Sequence, residues 1–268
     1  MNDTVLAAAQ RLAAAGIDSA RLDARLLWQY AGEDAQAFET AIRRRLARES
    51  VAAITGHKEF WSLDLEVGPG VLIPRPDTET LIEEAIRLVP DRAAPLRLAD
   101  LGTGSGAILL AALAEFPNAT GAGFESSPRA HHWAQVNTMR LAPGRAEMRL
   151  ADWNQAGERF DLVFSNPPYI PSAEIESLAP EVRDHEPRAA LDGGPDGLAA
   201  YRALGRLLPG ILKLGGHALL ELGQGQASAM EPLFPGLELV RIAPDLAGIP
   251  RCVVLKAGNF LGNQGPIR

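Results

Sequence analysis

The stretch from Leu96 to Phe116 limits the possible folds of this chain more than any other. Leu96–Leu101 is a short apolar run that predicts a buried strand. A glycine-rich turn, Gly102–Gly106, follows it, and a helix is predicted from Ala107 to about Phe116. Strand and helix signals continue to alternate along the rest of the chain. This alternation indicates an α/β fold built from βαβ units around a parallel sheet.

Two further strand ends carry side chains that suit a nucleoside. The predicted second strand, 119–124, ends at Glu125, where a doubly wound fold places an acid that binds a ribose diol. The predicted third strand, about 146–151, ends at Asp152 and Trp153, and an aromatic ring there offers a flat wall to an adenine. The residues predicted to bind the cofactor are Gly102, Thr103, Gly104, Ser105, Gly106, Glu125, Trp153 and Asn166.

A rigid loop follows the predicted fourth strand, 160–164. Its sequence is Ser-Asn-Pro-Pro-Tyr, and the two prolines stop the strand and stiffen the backbone. The Asn166 amide oxygen and the Pro167 carbonyl are acceptors, and Tyr169 adds a flat ring, so the loop suits a planar group that bears an NH2. We predict catalytic roles for Asn166, Pro167 and Tyr169, and substrate binding by these three and Pro168. A plain strand-ending turn is the alternative for this loop alone.

The two loops are expected to face one crevice. In a doubly wound sheet the chain winds outward from the first strand and then returns to its other side, and ligands bind at that switch point. The predicted first and fourth strands, 96–101 and 160–164, are then neighbours. The glycine-rich turn would therefore hold the donor of a transferred group, and the Asn166–Tyr169 loop would hold the nitrogen that accepts it.

The turn alone leaves two kinds of cofactor open. Gly102, Gly104 and Ala107 also satisfy a loose dinucleotide pattern, so a nicotinamide cofactor fits the turn. That reading does not explain Asn166–Tyr169. A phosphate-loop nucleotide site is excluded because no Gly-Lys-Ser/Thr follows the turn.

The first third of the chain predicts a separate architecture. We place an N-terminal helical domain at 1–55, with three helices, the second of which is expected to turn Leu22, Leu26 and Leu27 inward. A hairpin linker, or an extended connector, follows at 56–77 and turns at Gly68-Pro69-Gly70. The catalytic domain would span 78–256, and the tail, 257–268, would be frayed. The run Arg43–Arg45 with Arg48 is interpreted as a solvated helix face, with contact to an acidic partner as the alternative.

Composition and charge limit the partners, the metals and the cellular location that we expect for this protein. The 268 residues carry a net charge of −7, which argues against bulk binding of nucleic acid. Cys252 is the single cysteine and cannot form an internal disulfide, so a reducing cytoplasm is the expected location. No apolar run reaches the ~18–20 residues of a membrane span. The histidines and the cysteine show no metal-ligand spacing, and we expect no metal.

Several motifs together identify the chain as resembling one family. Asn166–Tyr169 resembles the acceptor motif of methyltransferases that act on adenine or on glutamine amides, and Asp100–Gly106 resembles the first motif of S-adenosylmethionine-dependent methyltransferases. Further segments extend the similarity to the peptide chain release factor glutamine methyltransferases (the PrmC/HemK family). They are Gly56–Trp61, Leu72–Glu79, Glu181–Gly194, Leu222–Gln226 and Asp245–Gly248. Within the third of them, Asp184, His185 and Glu186 are candidates to hold the substrate loop, with solvated turn residues as the alternative.

The resemblance implies a fold and a reaction. It implies a seven-stranded Rossmann-like class I methyltransferase domain with a small N-terminal helical domain and a β-hairpin linker. It also implies S-adenosyl-L-methionine as cofactor, and the glutamine of the Gly-Gly-Gln loop of release factors as substrate. Glu125 stands where Asp is commoner in the family, and both side chains can bind a diol.

Three other functions stay open. An adenine-specific DNA or RNA amino-methyltransferase would use the same acceptor loop, although base flipping calls for a basic groove. A glutamine methyltransferase acting on a ribosomal protein is a sibling possibility. A binding module that kept the fold without catalysis is the third.

Overall fold

The computed structural model describes residues 3–258. Within them the helices are α1 (Asp3–Ala14), α2 (Ala20–Tyr30), α3 (Ala35–Leu46), α4 (Val51–Thr55), α5 (Thr80–Leu88), α6 (Ala107–Glu115), α7 (Pro128–Leu141), α8 (Pro180–Arg183), α9 (Ala199–Ile211) and α10 (Met230–Leu233). The strands are β1 (His57–Phe60), β2 (Leu63–Glu66), β3 (Arg97–Leu101), β4 (Thr120–Glu125), β5 (Ala146–Leu150), β6 (Phe160–Ser165), β7 (Leu212–Glu221), β8 (Leu237–Pro244) and β9 (Pro250–Ala257). Of the predicted tail, Ala257 ends β9, and 259–268 lie outside the described residues.

Seven strands form the central sheet in the order β5-β4-β3-β6-β7-β9-β8. The pairs from β5 to β7 are parallel, and β9 runs antiparallel to both β7 and β8. The predicted neighbours β3 and β6 do pair, with Asp100 opposite Phe164. This is the predicted Rossmann-like class I fold, and its switch point lies between these two strands.

Helices cover both faces of the sheet because the strand side chains alternate between them. Leu98 of β3 packs with α5 and α6 on one face, and Ala99 packs with α9 on the other. The helix after the glycine-rich turn, α6, is buried from Ala107 to Leu113 and is apolar all round. A helix of that kind can only lie inside a core. The direction of α6 therefore fixes the glycine-rich turn against the sheet.

The N-terminal helices α1–α4 enclose a smaller apolar cluster of their own, which includes Leu12, Leu27 and Phe38. A fourth helix, α4, was not predicted. It is short, and the Ser50 hydroxyl begins it by accepting the Ala53 N–H at 3.1 Å. The division into domains at 55 and 77 stays a prediction.

Two leucines expected inside this cluster lie at its surface. Leu22 and Leu26 of α2 are 47% and 37% exposed, whereas Leu27 is fully buried. The prediction for the first two was wrong because Ala20, Ala24 and Leu27 form the inward stripe of α2.

The hairpin β1–β2 turns at a different place from the one predicted. Its turn residues are Trp61 and Ser62, with φ of 52° and 59°, and not Gly68-Pro69-Gly70. Residues other than glycine rarely adopt positive φ. Here the Trp61 N–H donates to Glu79 at 2.8 Å and the indole N–H donates to Glu115 at 2.6 Å, which hold the turn against the sheet domain.

The arginine run is not a solvated face throughout. Arg43 is exposed, but Arg45 is 6% exposed and its Nε donates to Asp23 at 2.8 Å. Arg45 and Arg48 also pair with Glu181, at 3.0 and 3.2 Å. The interpretation as a solvated face was therefore wrong for Arg45, which joins the N-terminal helices to the segment after the acceptor loop.

Candidate active site

A cavity of about 370 Å³ lies at the carboxyl ends of β3, β4 and β6. The walls come from the turn after β3, the end of β4, the residues after β5 and the loop after β6, as the topology predicts. The predicted residues that line it are Gly102, Thr103, Gly104, Ser105, Glu125, Trp153, Asn166 and Pro168. The structure thus brings the two predicted loops to one cavity.

The glycine-rich turn owes its shape to glycine. Gly102, Gly104 and Gly106 have φ of 75°, 58° and 87°, in a region that other residues rarely occupy. Gly106 immediately precedes α6, so the turn ends at a helix N-terminus with its unpaired N–H groups. The ring of Trp153 lies across the turn, 3.7 Å from where a Cβ on Gly102 would stand.

Asp100 lies beneath this turn and is fully buried. Its carboxylate accepts a hydrogen bond from the Thr103 hydroxyl at 2.6 Å, which ties the strand end to the turn. Burial raises the pKa of Asp100 to about 7, although the bond from Thr103 opposes the rise. The sequence placed Asp100 in a motif but gave it no role.

Glu125 bridges the turn and the helix after β4. Its Oε2 accepts the Gly104 N–H at 3.0 Å, and its Oε1 accepts the Ser127 N–H at 2.8 Å. Each carboxylate oxygen can accept a second bond. Glu125 therefore lines the cavity in a fixed orientation with acceptor capacity to spare, as a ligand for vicinal hydroxyls requires.

The members of the acceptor loop are placed differently. Asn166 and Pro168 line the cavity, whereas the buried Pro167 and the half-buried Tyr169, which packs against the apolar cluster on the α9 face of the sheet, are not among the lining residues. Asn166 Nδ2 donates to the Thr78 hydroxyl at 3.3 Å. The Tyr169 hydroxyl donates to Glu221 at 3.1 Å, and burial raises the Tyr169 pKa, which keeps that hydroxyl protonated.

Two glycines and one glutamine support this loop from below. Gln226 Nε2 donates to the main-chain oxygen of Tyr169 at 2.9 Å, and its Oε1 accepts the Gly223 N–H at 2.9 Å. A Cβ on Gly197 would lie 2.3 Å from the same Tyr169 oxygen, and one on Gly223 would lie 2.9 Å from the Tyr169 ring. The motif 222–226 therefore serves to hold the backbone of the loop.

Comparison with known proteins agrees with this geometry. The family model "Methyltransferase small domain" matches residues 83–182. A release factor glutamine methyltransferase of Caulobacter vibrioides is 43% identical over 92% of this chain and 93% of its own length. Another, from Cereibacter sphaeroides, is 44% identical over 94% of this chain and 96% of its own length. The chain belongs to the release factor glutamine methyltransferase family.

A solved structure supports the fold. A methyltransferase from Pyrococcus furiosus covers 82% of this chain and 99% of its own, with a TM-score of 0.55 and 19% identity. Among residues 3–258, no helix is both long enough and apolar enough to cross a membrane. Over the same residues, no cluster of three or more His, Cys, Asp or Glu is arranged to hold a metal ion.

The cavity of this family member fits S-adenosylmethionine. Its volume falls within the ~300–1,000 Å³ of small-ligand sites. The anchored carboxylate of Glu125 suits ribose hydroxyls, and the half-buried ring of Trp153 suits a purine face. The bare Cα of Gly102 keeps the space between the turn and the Trp153 ring open.

Sequence reasoning assigned no site role to three residues in or behind the cavity wall. Arg75 and Thr78 line it, and both belong to the segment Leu72–Glu79 that carried the family resemblance. Arg75 pairs with Glu186 at 2.6 Å, and burial raises the Glu186 pKa against the opposing charge of Arg75. The third, Glu221, ends a strand and showed no signal of its own.

The segment 184–186 was predicted as a candidate to hold the substrate loop. The structure gives two of its residues contacts within the chain. His185 donates to the main-chain oxygen of Ala47 at 2.9 Å, and Glu186 holds Arg75. Any direct role with substrate stays a prediction.

Proposed function

We propose that this protein transfers a methyl group from S-adenosyl-L-methionine to the side-chain amide nitrogen of the glutamine in the Gly-Gly-Gln motif of peptide chain release factors. The relatives are named release factor glutamine methyltransferases, which supports a release factor glutamine as the substrate. The observation that carries the proposal is the position of Asn166, whose side chain lines the cofactor-sized cavity while its NH2 is bound to Thr78. The amide oxygen is then the end offered to an N–H donor.

Residues of the glycine-rich turn and of two strand ends would hold S-adenosylmethionine in one half of the cavity. The main chain of Gly102–Gly106 would approach the ligand closely, Glu125 would accept from the ribose hydroxyls, and Trp153 would cover the adenine. S-adenosylmethionine, when bound, supplies a methyl group already activated on a sulfonium. The protein therefore has no need to activate the donor, and its residues serve to orient it.

The acceptor loop would bind a poor nucleophile, the amide nitrogen of the substrate glutamine. An amide nitrogen is weakly nucleophilic because its lone pair is delocalised into the carbonyl. The Asn166 amide oxygen and the Pro167 carbonyl would accept the two N–H bonds of the substrate amide, aim its nitrogen and stabilise the positive charge that develops there. Tyr169 is not a lining residue of the cavity, but it is only half-buried, and its ring, fixed through its hydroxyl, would cover the planar group and exclude water.

The partner would be a release factor, bound in part by the N-terminal helices. We assign substrate recognition to residues 1–55, the linker to 56–77 and catalysis to 78–256. We place the reaction in the cytoplasm, where the single buried cysteine, Cys252, stays reduced. Direct binding of nucleic acid is not expected from a chain with a net charge of −7.

The proposal is tested by methyl transfer from labelled S-adenosylmethionine to three acceptors in parallel. They are a release factor, the same factor with the Gly-Gly-Gln glutamine changed to alanine, and adenine-containing DNA and RNA. Label on the intact factor alone supports both substrate and site. Label on nucleic acid would overturn the substrate and retain the acceptor loop as an NH2-binding site.

A further inference from the structure

Glu221 is a buried carboxylate that touches neither the cavity nor, in the proposed reaction, the substrate. It is the last residue of β7 and is 1% exposed. The register of β7 on β6 sets Leu220 opposite Ser165, so Glu221 comes level with the start of the acceptor loop. A buried carboxylate is costly unless hydrogen bonds satisfy it. Its partners are therefore informative.

Two hydroxyl groups converge on this carboxylate, one on each oxygen. Thr78 donates to Oε2, and Tyr169 donates to Oε1 at 3.1 Å. An ionised carboxylate only accepts, and it accepts both bonds at once. Burial raises the pKa of Glu221, and the two hydroxyl bonds and the charge of Arg251 oppose that rise and favour the ionised form.

The consequence reaches Asn166 through Thr78. A hydroxyl carries a single proton, and that of Thr78 is committed to Glu221. Toward Asn166, which lies 3.3 Å away, Thr78 can therefore only accept. The Asn166 amide must turn its NH2 to Thr78, which leaves Oδ1 as the end that it offers to a ligand in the cavity.

We propose that Glu221 is a positioning residue that sets the orientation of the Asn166 amide through Thr78 and fixes the Tyr169 ring directly. This inference rests on the proposed function, in which Oδ1 of Asn166 accepts an N–H bond from the substrate amide. If the Asn166 amide were flipped, its NH2 would face the NH2 of the substrate amide, and two donors cannot hydrogen-bond to each other.

The decisive variant is Glu221→Gln, which keeps the shape and adds an NH2. The new amide can donate to Thr78, which frees the Thr78 hydroxyl to donate to Asn166 and allows the amide to flip. We expect kcat on the release factor to fall about 10- to 100-fold, with the affinity for S-adenosylmethionine unchanged by calorimetry. Glu84→Gln is the matched control, because it makes the same change at another carboxylate that is 1% exposed but pairs with Arg87 and Arg241 and does not line the cavity.

A second pair of variants tests the relay itself. Thr78→Val removes the hydroxyl at nearly constant volume, and Thr78→Ser restores it. We expect kcat to fall in the first and to recover to within about threefold of the wild-type value in the second. A role for Thr78 in packing alone would leave the valine variant active. That result, or a wild-type kcat in Glu221→Gln, would overturn the proposal.

A readout without turnover separates this inference from the proposed function. The side-chain NH2 signals of Asn166 in a 15N NMR spectrum are identified by their loss in Asn166→Ala. We expect them to shift in Glu221→Gln and Thr78→Val and to stay in place in Glu84→Gln. Unshifted signals in the first two variants would overturn the inference even if the wild-type enzyme methylates the release factor. A wild-type protein that fails to methylate the factor would instead defeat the proposed function, and the shifts would still decide the inference.

Discussion

Gln226 holds the main chain of Tyr169 by a hydrogen bond of 2.9 Å from its side-chain NH2. Because its amide oxygen is itself fixed by the Gly223 N–H, the bond locates the acceptor loop relative to the end of β7. A displacement of about 1 Å can cost about 100-fold in rate. We therefore expect Gln226→Ala to lower kcat at least about tenfold, measured with labelled S-adenosylmethionine. Gln224→Ala changes the same residue type at an exposed position two residues earlier and should have no such effect.

Gly197 and Gly225 form a matched pair of substitutions. Both have positive φ, 73° and 83°, so alanine at either position costs about 1 kcal/mol in stability. Only at Gly197 does the new Cβ meet the Tyr169 oxygen, at 2.3 Å, while around Gly225 the space is open. We expect Gly225→Ala to lose some melting temperature and keep methylation, and Gly197→Ala to lose more melting temperature and to lose methylation. Equal activities would show that the loop tolerates displacement.

Asn166→Ala should separate catalysis from cofactor binding. The variant removes the amide oxygen that we propose to stabilise the developing charge, and loss of one such group costs about 100- to 1,000-fold in kcat. The affinity for S-adenosylmethionine should change much less, because the turn, Glu125 and Trp153 remain. Steady-state kinetics alongside calorimetry measures both, and an undiminished kcat would remove Asn166 from its assigned role.

Asp100 predicts a pH dependence of stability with a definite sign. Its pKa is raised from 3.8 to about 7 by burial, so between about pH 4 and pH 7 the folded protein holds a proton that the unfolded chain has lost. The free energy of unfolding therefore falls as the pH rises through that window. Asparagine does not titrate, so Asp100→Asn lacks this loss of stability with rising pH, which is on the order of a few kcal/mol.

Urea unfolding of both proteins at pH 5 and pH 8 measures this contribution. The asparagine variant should lose less stability than the wild type between the two values. Parallel losses would show that Asp100 does not titrate in that range.

Arg45 joins α3 to Asp23 and to Glu181, with both it and Asp23 almost fully buried. Removal of one member of a buried ion pair leaves the other charge unpaired and costs about 3–5 kcal/mol. We expect Arg45→Met to lower the free energy of unfolding by about 3 kcal/mol in denaturant titrations. Arg43→Met breaks an exposed pair with Glu39 and should cost under about 1 kcal/mol. Equal costs would contradict the buried role of Arg45.

The sheet and the two cavity loops were predictable because their signals are local. The strands β3, β4 and β6 are short runs made mostly of apolar residues or glycine, and a glycine-rich turn or a pair of prolines ends the first and the last of them. Elements of that kind are specified by their own residues. Their meeting point then follows from the winding rule for parallel sheets.

The errors and omissions arise from contacts between distant parts of the chain. The hairpin turn lies at Trp61–Ser62 because Glu79, 18 residues away, holds the Trp61 N–H in place. Arg45 lies against Glu181, a partner 136 residues away in the sequence, so its burial has no local signal. Glu221 meets Thr78 across 143 residues, and in the sequence it is simply the polar residue that ends an apolar strand. No local pattern carries such information.

The insertion of β9 between β7 and β8 has a consequence for synthesis of the protein on the ribosome. Cys252 of β9 pairs with Glu221, and the Leu222 N–H donates to the Arg251 oxygen at 2.9 Å. The strand that carries Glu221 is therefore an open sheet edge until residues 250–257 have emerged. The acceptor loop is translated some eighty residues earlier than its support. During synthesis, the whole Asn166–Tyr169 loop is therefore made well before the strand that completes its support.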